Sequence, residues 1–115
     1  MSTMLLKVSA DELREINRSF GGTHEMNSTV DSVFMSARYV TGFWEPVATV
    51  VRSIAGGHLF DNGNKRTALA AAKLFQKRNN IFTGALEPDM RETVRLVAIG
   101  ELRDVAEIAR GLRGF

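Results

Sequence analysis

Residues 64–79 read NKRTALAAAKLFQKRN. No glycine or proline interrupts them, and alanine and leucine are strong helix formers, so the stretch predicts one helix. Ala68, Leu69, Ala70, Ala71, Ala72, Leu74 and Phe75 make it apolar over most of its circumference. Small residues on several faces allow neighbours to approach closely, which predicts a central helix, the most buried of the fold. Gly63 precedes it and Asn79-Asn80 close it. The rest of the chain reads as helices gathered around this one.

Upstream, Ser9-Ala10-Asp11-Glu12 has the spacing of a capping box, and Leu13, Ile16 and Phe20 come next at helical intervals, so a helix is expected over about Ser9–Arg18. Gly21-Gly22 stop it. The polar residues Thr23 to Ser28 predict a loop or a short extended arm. Ser28 or Thr29 can cap a second helix, whose stripe is Val30, Val33, Phe34 and Ala37. A third opens near Glu45-Pro46, with proline at a tolerated first-turn position. Its valines favour strand locally, but Val47, Val50, Val51 and Ile54 keep helical spacing, and Gly56-Gly57 end it. Downstream, Ile81-Phe82-Thr83 predicts an extended connection. Glu87-Pro88-Asp89 opens a fifth helix with Met90, Val94, Val97 and Ala98. Leu102, Val105, Ala106 and Ile108 mark a sixth, reaching about Leu112. The expected class is all-α: a bundle of about six helices with at most one small β-hairpin.

The chain of 115 residues suits one domain over residues 1–115. Hydrophobic residues make up 44% and charged residues 24%, ordinary for a globular protein. Cysteine is absent, which excludes disulfides, thiolate zinc sites and a cysteine nucleophile. No apolar run approaches the roughly 20 residues needed to span a bilayer, and the start is too short for a signal-peptide core. The expected site of action is the cytoplasm, with no membrane partner, whether the chain stands alone or is delivered as part of a larger secreted protein. The formal charge of +2 neither demands nor excludes nucleic acid.

The chemistry concentrates in HLFDNGNKRT, residues 58–67, which join the third helix to the central one. A helix start has free N–H groups and a partial positive charge. Lys65 and Arg66 stand there, where cations at an exposed site lose about 0.3–1 kcal/mol each. The arrangement makes sense if an anion such as phosphate sits among them. Gly63 would let backbone approach that anion. Asp61 would offer a carboxylate to a divalent cation, and His58 would accept a proton from a hydroxyl. Solvated charges, turn residues and a loop histidine account for each residue singly; the combination around one helix start is what points to a site. A P-loop does not fit, because five residues separate Gly57 from Gly63 and Asn64 stands between Gly63 and Lys65.

This segment resembles the signature of the Fic/Doc (Fido) family. His58, Phe60, Gly63, Asn64, Lys65 and Arg66 fall in register with it. Lys65 resembles the Doc-like toxin branch, as does Leu69, where many Fic enzymes place a second arginine. The resemblance implies a small helical bundle that transfers a phosphate-containing group, phosphate or AMP, from ATP or another nucleotide to a Ser, Thr or Tyr hydroxyl of a target protein. His58 would be the general base, and Gly63, Asn64, Lys65 and Arg66 would hold the phosphates. Phe60 would anchor the loop. The family's magnesium-binding acid falls at position 62, which here is Asn62, with the acid one residue earlier at Asp61. Two alternatives stay open at this point: Asp61 takes over through a shifted loop, with Asn62 offering a carbonyl oxygen, or Mg2+ binding is weak or absent.

Thr23 to Thr29 lie where family members carry a flap that aligns the target, so a hairpin flap is one expectation there; an ordinary interhelical loop is the other. No glutamate is followed by Gly or Asn, so the family's inhibitory pattern is missing, and a separate antitoxin or immunity protein is the implied partner. His24 is expected in solvent and Trp44 in packing. Lys65, Arg66, Lys73, Lys77 and Arg78 share one helix with no acid between Asn62 and Leu86. They keep a reading of a different class in view, a toxin that binds or cleaves RNA. A catalytically silent Fic-like binding module is the third.

Overall fold

The computed structural model describes residues 2–114. It is an all-α bundle of six helices preceded by a two-stranded hairpin. Strands β1 (Met4–Leu5) and β2 (Val8–Ser9) pair antiparallel. The helices are α1 (Ala10–Ser19), α2 (Val30–Ala37), α3 (Trp44–Val51), α4 (Asn64–Arg78), α5 (Glu87–Ala98) and α6 (Val105–Arg113). A π-helical stretch, Arg52–Gly56, continues α3.

Side-chain caps account for three of the six helix starts. Ser9 accepts from the Glu12 N–H while Glu12 accepts from the Ser9 N–H, so the capping box forms. Thr29 rather than Ser28 caps α2, through the Ser32 N–H. Asp104 caps α6. Both predicted stripes are buried: Val30, Phe34 and Ala37 on α2, and Val47, Val50, Val51 and Ile54 on α3 and its extension, are fully enclosed.

One expectation about rank is overturned. The most buried helix is α3, which packs on α2, α4 and α6. In α4 only Thr67, Ala68, Ala71, Ala72 and Phe75 are buried, all on the side toward the core. The reason is charge: Lys65, Arg66, Lys73, Lys77 and Arg78 need water, so α4 keeps a solvated face, and its alanines serve close approach on one side only.

The hairpin is also not where a flap was expected. It lies at Met4–Ser9, and its turn residues Leu6 and Lys7 both take positive φ, as a two-residue hairpin turn requires. The end of α4 holds that turn: Asn79 donates to the Leu6 carbonyl and Arg78 to the Lys7 carbonyl. Arg78 also pairs with Glu12. That bond, with the Ser9 N–H, lowers the Glu12 carboxyl from 4.5 to about 2. Thr3 and Arg14 lower Asp31 to about 2 in the same way. A depressed folded-state value stabilises fully above the unfolded value and is lost as pH falls through the folded one. Wild type should therefore lose stability from about pH 5 toward pH 2, and Glu12→Gln should flatten that limb, read from urea midpoints across the range.

Candidate functional site

The loop between α3 and α4 is built from both ends. On the entry side the π-helical stretch closes when the Gly57 N–H donates to the Arg52 carbonyl (3.0 Å). A Cβ on Gly57 would lie 2.7 Å from the Ser53 carbonyl oxygen, so this tight exit needs glycine. His58 comes next with φ +48, the left-handed region that non-glycine residues rarely adopt. Leu59 and Phe60 then turn inward, 1% and 3% exposed, and anchor the loop in the core. Short π-helical turns recur at functional sites, where the extra residue re-aims the chain beyond the turn. Here it presents His58 to solvent immediately ahead of two buried anchors.

On the exit side Asn64 accepts from the Phe60 N–H (3.0 Å) and donates to the Phe60 carbonyl (2.9 Å), closing the loop on itself. Gly63 has φ +73, and a Cβ there would lie 2.6 Å from the Phe20 carbonyl oxygen. In this structure Gly63 is thus required by the end of α1. Its N–H donates to Asn62 Oδ1 (2.9 Å). The start of α4 has no side-chain cap and no acid in its first turn, which carries Lys65 and Arg66 instead. Neither cation has an ion-pair partner among the described residues.

A cleft of about 650 Å³ runs over this loop, lined by His58, Asp61, Asn62, Gly63, Asn64, Lys65 and Arg66 and walled by Phe20, Ala98 and Ile99. All the motif residues singled out as a site therefore share one surface. A second cleft of about 580 Å³ continues it between α4 and α5. Its apolar floor is Phe20, Leu69, Ala70 and Val94, and Lys65, Arg66, Lys73, Arg91 and Arg95 line its walls.

The structure uses Asp61 to hold the arm. Its Oδ1 accepts from the Thr23 N–H (2.8 Å) and the His24 N–H (3.2 Å), and its Oδ2 from the Thr23 hydroxyl (2.6 Å). These bonds, Thr23 foremost, hold its carboxyl well below the usual range. Asn62 turns its carbonyl oxygen onto Gly63. Among the described residues no group of three or more histidines, aspartates or glutamates converges to hold a metal. A magnesium ion takes one or two carboxylates beside phosphate oxygens, and the arm occupies three of the roughly four acceptor positions on the Asp61 carboxylate.

The Thr23–Thr29 segment is an extended arm beside the loop. Glu25 and Phe60 form an antiparallel bridge. The Met26 N–H donates to the Leu59 carbonyl (2.7 Å), and the Asp61 N–H to the His24 carbonyl (3.1 Å). On its far side Glu25 caps the first N–H of α2 and pairs with Arg14. His24 is largely exposed, with Nδ1 3.0 Å from the Thr23 hydroxyl. Trp44 is half-buried against Phe43. Sequence reasoning passes over Asn17, which is 2% exposed and donates to the Asn62 carbonyl (2.8 Å) and the Thr67 hydroxyl (3.1 Å), tying α1 to both sides of Gly63. Only the oddity of an asparagine on the apolar face of an amphipathic helix marks it in the sequence.

The cationic stripe on α4 is partly consumed by structure. Lys73 pairs with Glu87 and Arg78 with Glu12, and Phe75, the aromatic nearest the stripe, is fully buried. Lys65, Arg66 and Lys77 have no ion-pair partner among the described residues.

No family model matches the chain. Over 74 residues it is 36% identical to Protein kinase doc of Escherichia phage P1, an alignment covering 64% of this chain. The chain spans 57% of the length of that relative. Among the described residues no helix is long and apolar enough to cross a membrane.

Proposed function

We propose that this chain is a Doc-type protein kinase, moving the γ-phosphoryl group of ATP or another nucleotide to a Ser, Thr or Tyr hydroxyl of a target protein. The similarity to a protein named as a kinase supports this reading. The observation that carries it is the pairing of an exposed histidine with two unpartnered cations at an uncapped helix start, all lining one cleft. His58 takes the hydroxyl proton, the freed oxygen bonds to the γ-phosphorus, and the bond to the bridging oxygen breaks, releasing the diphosphate. Most of the catalysis in such a transfer is positioning and charge stabilisation. Lys65, Arg66 and the free N–H groups of the first turn of α4 supply both, and Gly63 and Asn64 hold the loop that presents them.

The α4–α5 cleft suits the rest of the nucleotide, with an apolar floor for a base and cations around it. Leu69 lies on that floor, where a second arginine would favour gripping outer phosphates and AMP transfer. The corresponding biological role is a toxin restrained by a separate antitoxin or immunity protein. Calorimetry tests the phosphate site: Arg66→Ala should weaken ATP binding by about 10-fold or more, the loss of a charge-assisted contact of roughly 1.5–3 kcal/mol. Equal affinity in the two proteins would place the phosphates elsewhere.

A further inference from the structure

We propose that Asn27 is a positioning residue for His58, the outer end of a strap, residues 23–27, whose inner end is fixed by Asp61. The inference rests on the reading of His58 as the base. Among the described residues nothing hydrogen-bonds the His58 imidazole, so no side-chain partner sets the direction of the ring. That direction depends on the backbone, and the backbone there is in the strained left-handed region, at φ +48. Such a conformation persists only where its surroundings over-determine it.

Three contacts do so. The Leu59 N–H donates to the Ile54 carbonyl (3.3 Å), and the Gly57 N–H closes the π-helical turn. The third is Asn27, whose single Nδ2 amino group donates to the Gly57 carbonyl (3.1 Å) and to the His58 carbonyl (2.9 Å). One donor group thus spans the two peptide carbonyls that flank the His58 torsions. It fixes both peptide planes and offsets the repulsion between two oxygens turned the same way. No other side chain among the described residues hydrogen-bonds these two carbonyls.

Asn27 can do this only if the arm holds still, and the arm has little apolar grip of its own, since Met26 is 59% exposed. Its register comes from the Glu25–Phe60 bridge, the Met26–Leu59 bond and the three bonds that Asp61 accepts from Thr23 and His24. The acid of the motif loop therefore aims the histidine indirectly, by seating the strap that carries Asn27.

The test compares wild type with Asn27→Asp, which keeps the shape and removes the donor, and with Asn27→Ala. Asn27 is exposed, so both variants should fold. With γ-labelled ATP and bacterial lysate proteins as acceptors, kcat should fall about tenfold or more while the KM for ATP stays within about twofold, as expected when a reacting group is misplaced. The His58 ring resonances, assigned by their loss in His58→Ala, should shift or broaden in both variants. Unchanged ring resonances, or a kcat that holds despite altered resonances, would overturn the proposal. If wild type itself transfers no label, the kinase reading fails, and the resonances alone still decide whether Asn27 orients His58.

Discussion

His58→Ala should lower the rate of γ-phosphoryl transfer by roughly 10²–10⁴-fold, the usual worth of a positioned general base. ATP affinity should change little, because the phosphate contacts assigned to Lys65, Arg66 and the α4 N–H groups come from the other side of the loop. The same variant should relieve the growth arrest expected when the wild-type protein is made alone in bacteria. His58 is exposed and makes no side-chain hydrogen bond among the described residues, so its removal leaves no orphaned partner and the fold should keep its melting temperature. A large kinetic effect without a stability effect separates a base from a structural histidine. Equal growth arrest by both proteins would show that toxicity does not depend on this side chain.

Asn17→Ala should have the opposite signature, a large loss of stability. The Asn17 amide is 2% exposed and supplies the Asn62 carbonyl and the Thr67 hydroxyl, itself fully buried. Truncation leaves the buried Thr67 hydroxyl short of a partner at about 1–3 kcal/mol and the part-exposed Asn62 carbonyl at about 1 kcal/mol, so a loss of roughly 2–4 kcal/mol is expected. For a domain of this size that lowers the melting temperature by about 10–20 °C. Because Asn17 holds both sides of Gly63, nucleotide affinity should fall as well, measured below the new transition. Arg18→Ala, an exposed neighbour on the same helix, should stay within about 0.5 kcal/mol of wild type. Calorimetric melting of the two variants decides it, and an Asn17→Ala protein as stable as wild type would mean that water replaces the amide.

Helix starts and stripes are legible in the sequence because their causes are local. The capping box at Ser9 and Glu12, the cap at Thr29 and the valine spacing of α3 each lie within one or two turns of sequence. The hairpin at Met4–Ser9 is not legible. Leu6 and Lys7 carry no turn chemistry, and their positive φ is held by Asn79 and Arg78, more than 70 residues away. The rank of α3 over α4 is hidden because alanine content reports close packing and not how much of the circumference is covered. The stop at Gly56-Gly57 is legible, but the widening of the last turn of α3 into a π-helix is not, because helical spacing through Ile54 reads the same either way.

In the candidate site, the stretch from His58 to Arg66 is readable as a unit because neighbours in sequence make one loop. The groups that orient it are not. Asn17, Thr23 and Asn27 reach it from 30 or more residues away, and polar loop residues such as Thr23 and Asn27 look the same whether they face water or bond another segment. An acid beside a cationic helix start suggests a metal ligand, and nothing in the sequence shows that Asp61 also accepts three bonds from the arm. A glycine before a cationic helix start suggests room for an anion, whereas the close neighbour of Gly63 is the Phe20 carbonyl.

The most direct measurement incubates the wild-type protein with a bacterial lysate and ATP labelled at either the α or the γ phosphate. Label should pass to a protein from the γ position only, and His58→Ala should abolish it. Label from the α position would mean AMP transfer instead. No protein labelling from either nucleotide, with RNA cleaved in the same lysate, would contradict the account.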